Sequence, residues 1–198
     1  MKPKSLFQID NHTKSNQQQF ESFDLTESVD PEMLKAKKIL DVTCGSRGIW
    51  FQKNEPHTLY CDRRRCYYEG TFGVHQSKDI IHVDPDVLCD FRKLPFPDNT
   101  FHLVVFDPPH IIRQHESENG WLTKKYGLYS SESEAISAVA DGICECMRVL
   151  VVNGVLIFKW SEVQLSSSEI IKACGYEPLF GHRSGKKSNT HWMTFMKF

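Results

Sequence analysis

Short apolar runs recur along the chain: Ile39-Leu40-Asp41-Val42, Thr58-Leu59-Tyr60-Cys61, Val87-Leu88-Cys89, Leu103-Val104-Val105-Phe106 and Val155-Leu156-Ile157-Phe158-Lys159-Trp160. Runs this short, with little polar alternation, suit strands buried on both faces, and such strands belong to parallel sheets covered by helices. Between the last two runs, Ile136, Val139, Ala140, Ile143, Met147 and Leu150 recur every three or four residues, which marks one apolar face of a helix. A shorter helix is predicted to about Lys38, with Asp30 as cap and Pro31 at the first helical position. Another is predicted from Ser161 as cap to about Cys174, with Gly175 as a left-handed stop. Strands alternating with helices predict an α/β chain with a mostly parallel sheet. Residues 176–180 and 190–198 are expected to pair antiparallel, because the basic loop at 181–189 leaves no room for a crossover helix.

Residues 1–25 are polar, centred on Gln17-Gln18-Gln19, and read as a loose arm before a single domain at 26–198. With 40% hydrophobic and 12% aromatic residues, the chain can fill a substantial core. No apolar run reaches the roughly 18 residues that span a bilayer, and Met1-Lys2-Pro3-Lys4 lacks a signal peptide's apolar segment. A cytoplasmic protein without membrane association is expected. Seven cysteines, odd in number and scattered, are expected to be reduced thiols. Neither Cys61 with Cys66 nor Cys144 with Cys146 has the two-residue gap of a zinc knuckle, so no metal is expected. A net charge of −1 leaves nucleic-acid binding to local basic patches. Arg63-Arg64-Arg65 and His182-Arg183-Ser184-Gly185-Lys186-Lys187 are two such clusters, each either a solvated loop or a phosphate contact.

The chemistry-bearing residues follow the strands. Asp41-Val42-Thr43-Cys44-Gly45-Ser46-Arg47-Gly48 is a small, glycine-containing turn after the first strand, where backbone N–H groups can approach a ligand and a carboxylate can attract an ammonium group. Asp62 ends the second strand, where nucleoside-binding folds accept hydrogen bonds from ribose hydroxyls. Asp90 follows the third strand and could accept an adenine amino group, with the Phe91 ring face beside it. After Leu94-Pro95-Phe96-Pro97-Asp98-Asn99-Thr100-Phe101 comes the fourth strand, which ends in Asp107-Pro108-Pro109-His110. Two prolines there hold the chain extended and remove two N–H donors, leaving carbonyls to face a ligand. Each aspartate alone could be a loop cap; the four features in this order favour a site.

On these blocks, together with Cys-Met-Arg148-Val-Leu-Val-Val-Asn-Gly154-Val-Leu, the chain from about residue 35 resembles the class I S-adenosylmethionine (SAM)-dependent methyltransferases. Asp107-Pro108-Pro109-His110 is similar to the Asp/Asn-Pro-Pro-aromatic motif of enzymes that methylate exocyclic amino groups, mainly adenine N6, and small phage or prophage methyltransferases share this look. The resemblance implies a Rossmann-like, seven-stranded, mostly parallel sheet with one antiparallel C-terminal strand. It implies that SAM is the cofactor, with Asp41, Thr43, Cys44 and Gly45 around the methionine part, Asp62 at the ribose, and Asp90 with Phe91 at the adenine. Catalysis then falls to Asp107, Pro108, Pro109 and His110. The chain departs from the pattern in Thr43 at the first glycine position, in Arg47 where another glycine is usual, and in His110 for a larger aromatic. Arg47 is expected to crowd or pair with the carboxylate end of SAM.

Under this reading, Asp107 and the Pro108 carbonyl accept the two N–H groups of an amine and aim its nitrogen at the sulfonium methyl, so that positioning supplies most of the catalysis. A duplex target must be flipped out, whereas single-stranded DNA or RNA avoids most of that cost. Recognition is assigned to Trp121, Lys124, Lys125, Tyr126 and Tyr129, and to Arg183, Lys186, Lys187, His191 and Trp192, mixtures suited to stacking and phosphate contact. Trp121 and Trp192 are equally readable as packing residues. The segment 112–130 is a candidate lid. Two other readings stand beside this one: methylation of a small molecule or protein side chain, and a non-catalytic nucleotide-binding module.

Overall fold

A computed structural model describes residues 29–72, 77–113, 120–183 and 189–198, so the polar arm at 1–25 lies outside the described residues. Asp30 caps the first helix, α1 (Pro31–Ala36), by accepting the Glu32 N–H at 2.9 Å. The helix ends two residues before Lys38 because Lys37 is already extended, leading into β1 (Ile39–Asp41). Then follow β2 (Thr58–Asp62), β3 (Cys66–Phe72), β4 (Ser77–Val83), β5 (Val87–Leu88) and β6 (Phe101–Phe106). The remaining elements are α2 (Trp121–Tyr126), α3 (Glu132–Val149), β7 (Leu150–Ser161), α4 (Ser167–Cys174), β8 (Phe180–Arg183) and β9 (Thr190–Met196).

Seven strands form one sheet in the order β5-β2-β1-β6-β7-β9-β8. The first five are mutually parallel, and β9 alone runs against its neighbours β7 and β8. This is the Rossmann-like α/β architecture that the sequence implies. The chain moves outward from β1 through β2 to β5, then returns to β6 on the other side. The strand order therefore reverses at β1, and a crevice opens between the carboxyl ends of β1 and β6.

Three expectations need correction. No helix follows β1. Residues 43–57 form consecutive turns, because Arg47, Gly48, Gln52, Lys53, Asn54 and Pro56 leave that stretch without an apolar helical face. Its covering role passes to side chains: Trp50 packs edge-on against Tyr60 at 5.5 Å, and the Arg47 guanidinium lies 3.8 Å from the Tyr60 ring centre. The second correction is a two-stranded antiparallel hairpin, β3 with β4, inserted between β2 and β5. Third, Ser161 is the last residue of β7 rather than a cap; Ser166 caps α4 instead, and Gly175 ends it with φ 72° as expected.

Helix α3 turns Ala135, Ala138, Val139, Ile143 and Cys146 into the core, against buried Leu40, Val104, Phe106, Leu156 and Phe158 of the central strands. It comes close because Gly142 has no side chain: a Cβ there would sit 2.6 Å from Phe106 Cζ and 2.7 Å from Phe91 Cδ2. At the far end of α3, Arg148 pairs with Glu145 and Asp98 and donates to the Leu94 and Phe96 carbonyls, which fixes the segment preceding β6. No described helix is long and apolar enough to cross a membrane.

Candidate active site

Three carboxylates end three neighbouring parallel strands: Asp41 on β1, Asp62 on β2 and Asp107 just after β6. They line a single cavity of about 420 Å³, together with Thr43, Cys44, Gly45, Phe91, Pro109, Lys125 and Tyr126. That volume lies within the range of small-molecule and cofactor sites.

Asp41 is buried, accepting the Trp50 indole N–H at 2.7 Å and the Thr43 N–H at 3.2 Å. Burial outweighs these bonds and pushes its carboxyl up to about 7. Thr43 explains its own departure from glycine: its hydroxyl accepts the Asp107 N–H at 3.0 Å, tying the first turn to the Asp-Pro-Pro-His segment. The Cys44 N–H donates to the Cys61 carbonyl at 2.8 Å, and burial raises the Cys44 thiol well above its ordinary value. All seven cysteines are free thiols.

Asp62 accepts the Gly45 N–H at 3.1 Å, but its main partner is Arg64. Arg64 donates its backbone N–H and its Nε to Oδ1 at 3.0 and 3.1 Å, and its Nη2 to Oδ2 at 3.4 Å. The same guanidinium donates to the Lys124 and Lys125 carbonyls of α2 at 3.0 and 3.5 Å. Arg64 is thus no solvated loop residue; it bridges the β2 carboxylate to the helix that covers the cavity. Arg65 pairs with Asp84, while Arg63 lines the cavity wall.

Asp107 meets a partner from β7, the Lys159 ammonium, 2.5 Å from its Oδ2. The lysine is invisible as a site residue in its strand run, because only the β6–β7 pairing brings it to Asp107. Pro109 lines the cavity, whereas Pro108 is buried beneath it and His110 faces away toward Tyr126 and Trp160, at ring separations of 5.7 and 6.5 Å. Burial lowers the His110 imidazole below its ordinary value, against the raising effects of Asp107 and the Pro108 carbonyl.

Several expected site residues lie elsewhere. Asp90 is held by Arg92 through both oxygens, at 3.0 and 2.5 Å, and does not line the cavity, although Phe91 does. Arg47 does not reach the cavity: it adopts φ 55°, the left-handed conformation that explains the usual glycine, and spends its guanidinium on Lys53, Asn54 and Asp84. Trp121 is a packing residue, its indole against Gly70 and its N–H donating to Asp79 at 2.8 Å. Lys124 sits over the Tyr68 ring of the hairpin, and Lys125 pairs with Asp79 while lining the cavity. Helix α2 is therefore fastened to the β3–β4 hairpin. Tyr129 is buried beside a cavity of about 60 Å³ that shares Arg63, Phe91 and Pro109 with the larger one, and its hydroxyl has no partner among the described residues. Trp192 flanks Lys159, and His191 approaches Glu162 at 2.7 Å. Arg183 ends β8, while Lys186, Lys187 and part of the proposed lid lie outside the described residues.

The sequence matches no family model and no curated protein. Among solved structures, it is similar to the PH0226 protein of Pyrococcus horikoshii, with 14% identity, 87% of this chain and 89% of that one covered, and a TM-score of 0.51. It is also similar to a SAM-dependent methyltransferase of Leishmania major, with 12% identity over 89% of this chain and 67% of that one, at a TM-score of 0.48. A SAM-dependent methyltransferase of Methanosarcina mazei shows 11% identity over 86% of this chain and 99% of that one, at 0.46. The likeness to the P. horikoshii protein agrees with the fold traced above.

Proposed function

We propose that this chain is a SAM-dependent methyltransferase whose acceptor is an exocyclic amino group of a nucleic-acid base, adenine N6 foremost. The supporting observation is the convergence of Asp41, Asp62 and Asp107 from three strand ends on one cofactor-sized cavity at the point where the strand order reverses. When bound, SAM supplies a methyl group on a sulfonium, already activated for displacement.

The protein's residues divide the work of holding and aiming. Asp41, buried with its carboxyl raised, is poised to become charged opposite an ammonium group. The Thr43-Cys44-Gly45 turn lies beside it and lets backbone approach the ligand. Asp62 receives ribose hydroxyls in place of part of its Arg64 contact, and Phe91 offers a ring to the adenine. Asp107 accepts an N–H of the attacked amine, with its backbone fixed by Thr43. Asp90 has no direct part in this scheme, because Arg92 occupies its carboxylate. A single-stranded or flipped-out base would reach Asp107 past Lys125 and Tyr126 of α2.

One observation favours a smaller acceptor: α2, tied to the hairpin by Trp121–Asp79 and to β2 by Arg64, covers the cavity. Incubation with isotope-labelled SAM and separate DNA, RNA, protein and metabolite pools, followed by digestion and mass spectrometry, tests both readings. Label on an amino group of a base is the expected result. Label confined to protein or metabolites would replace the acceptor, and failure of SAM to bind by calorimetry would remove the enzyme reading.

A further inference from the structure

Lys159 lies on the strand next to β6, and the two strands are in parallel register with Phe106 opposite Phe158, so Asp107 and Lys159 follow in step. Their ion pair, 2.5 Å from Nζ to Oδ2, is only partly exposed, at 22% for the lysine side chain and 20% for the aspartate, and both residues line the cavity. Both are held from behind. Asp107 donates its N–H to Thr43, and Lys159 stands opposite Trp192 in the β7–β9 register, with the indole centre 5.8 Å from Nζ.

The pair has hydrogen-bonding capacity left over. An ammonium carries three donors and a carboxylate has two accepting oxygens. Among the described residues, one lysine donor goes to Asp107 Oδ2, and neither the other lysine donors nor Asp107 Oδ1 has a hydrogen-bond partner. The cavity thus meets an acceptor and a cationic donor side by side. A side-chain amine in its ammonium form would offer Asp107 donors but would face the Lys159 charge at the same time. An amino group on a ring carbon next to a ring nitrogen matches both: its N–H suits Asp107, and the ring nitrogen suits Lys159. Adenine presents this edge through N6 with N1 or N7.

We propose that Lys159 is a specificity-determining residue, donating to the ring nitrogen beside the exocyclic amino group that Asp107 accepts, so that the acceptor is the amidine edge of adenine and not an alkyl amine. This rests on the methyltransferase reading above. The proposal concerns recognition, so no proton changes hands between Lys159 and the base.

The test uses the full chain, SAM, and single-stranded DNA oligonucleotides carrying adenine, 1-deazaadenine or 7-deazaadenine, which keep the amino group and replace one ring nitrogen by C–H. One of the two deaza bases should lower kcat/KM roughly tenfold or more, the discrimination typical of a lost base-edge contact. Lys159→Met, which retains the apolar stem, should fall to the same level on adenine and lose nothing further on that deaza base. Transfer that ignores both deaza substitutions overturns the assignment, as does an equal Lys159→Met loss on all three bases; either result leaves the methyltransferase reading standing. No transfer to adenine by a protein that binds SAM removes the assignment and the proposed acceptor together. Should Lys159→Met not fold, the comparison of the three bases in the unaltered protein still decides.

Discussion

Arg64 grips both carboxylate oxygens of Asp62, through Nε at 3.1 Å and Nη2 at 3.4 Å, while reaching the last carbonyls of α2 with the same guanidinium. The acid best placed for a ribose is therefore already engaged, and its partner is also the fastening of the cavity's cover. Arg64→Ala should tighten SAM binding by a few-fold, by freeing Asp62, and should expose the Lys124–Lys125 bonds to trypsin. Calorimetry and limited proteolysis read the two effects separately. Weaker SAM binding in the variant would make Arg64 part of the binding surface rather than a competitor for Asp62.

The Asp41 carboxyl, raised from 3.8 to about 7 by burial, predicts a pH dependence in two measurements. The folded state keeps a proton that the unfolded chain releases above pH 3.8, so stability from this group is greatest at low pH and falls as pH rises to about 7. Asp41→Asn should remove that slope, with a gain relative to the parent that grows from pH 5 to 8 and reaches at most about 4 kcal/mol. Thermal melting across that range checks it. SAM affinity should rise over the same interval, because an ammonium beside Asp41 favours its charged form. Calorimetry in buffers of different ionisation enthalpy should show a proton released on binding, and a pH-independent affinity would detach Asp41 from the ammonium.

Asp107 and His110 should separate catalysis from support. Asp107→Ala is expected to lower turnover by about 100-fold or more while leaving SAM affinity within a few-fold, because its contact is with the acceptor. His110 lies outside the cavity against Tyr126 and Trp160, with burial lowering its imidazole below the usual value. His110→Phe should therefore remain active, with a pH–rate profile between 5.5 and 8.5 that follows the parent. An inactive His110→Phe protein that still binds SAM and substrate would give the imidazole an acid–base role.

Gly142 is the position where α3 lies against the two rings that separate it from the cavity and the sheet. Gly142→Ala would press a methyl group into Phe106 and Phe91 at 2.6 and 2.7 Å, and should cost about 1–3 kcal/mol in stability. Because Phe91 lines the cavity, SAM affinity should fall as well. Denaturant melts paired with SAM titration measure both, and an unchanged midpoint would mean that the rings yield without cost.

Much of this architecture is written locally. The three- and four-residue spacing from Ile136 to Leu150 marks α3, Asp30 and Pro31 start α1, and Gly175 stops α4. The missing helix after β1 was hidden by the glycine-containing turn, which serves a turn-rich loop as well as a helix start. The β3–β4 hairpin was hidden because Cys66-Tyr67-Tyr68-Glu69-Gly70 carries a glycine and a charge within a short run, so it does not read as a buried strand.

What the sequence alone determined is where each acid falls relative to its own strand: Asp41, Asp62 and Asp107 stand at strand ends because the apolar runs stop there. What only the tertiary structure decided is what each acid touches. Lys159 reaches Asp107 across 52 residues of sequence and Arg64 reaches the carbonyl of Lys124 across 60, while Asp90 turns to Arg92 two residues away. The physical reason is that an apolar run declares its burial through its own composition, whereas an ion pair depends on which strands become neighbours and in what register. Strand order and register are properties of the assembled sheet, and they set Lys159 beside Asp107.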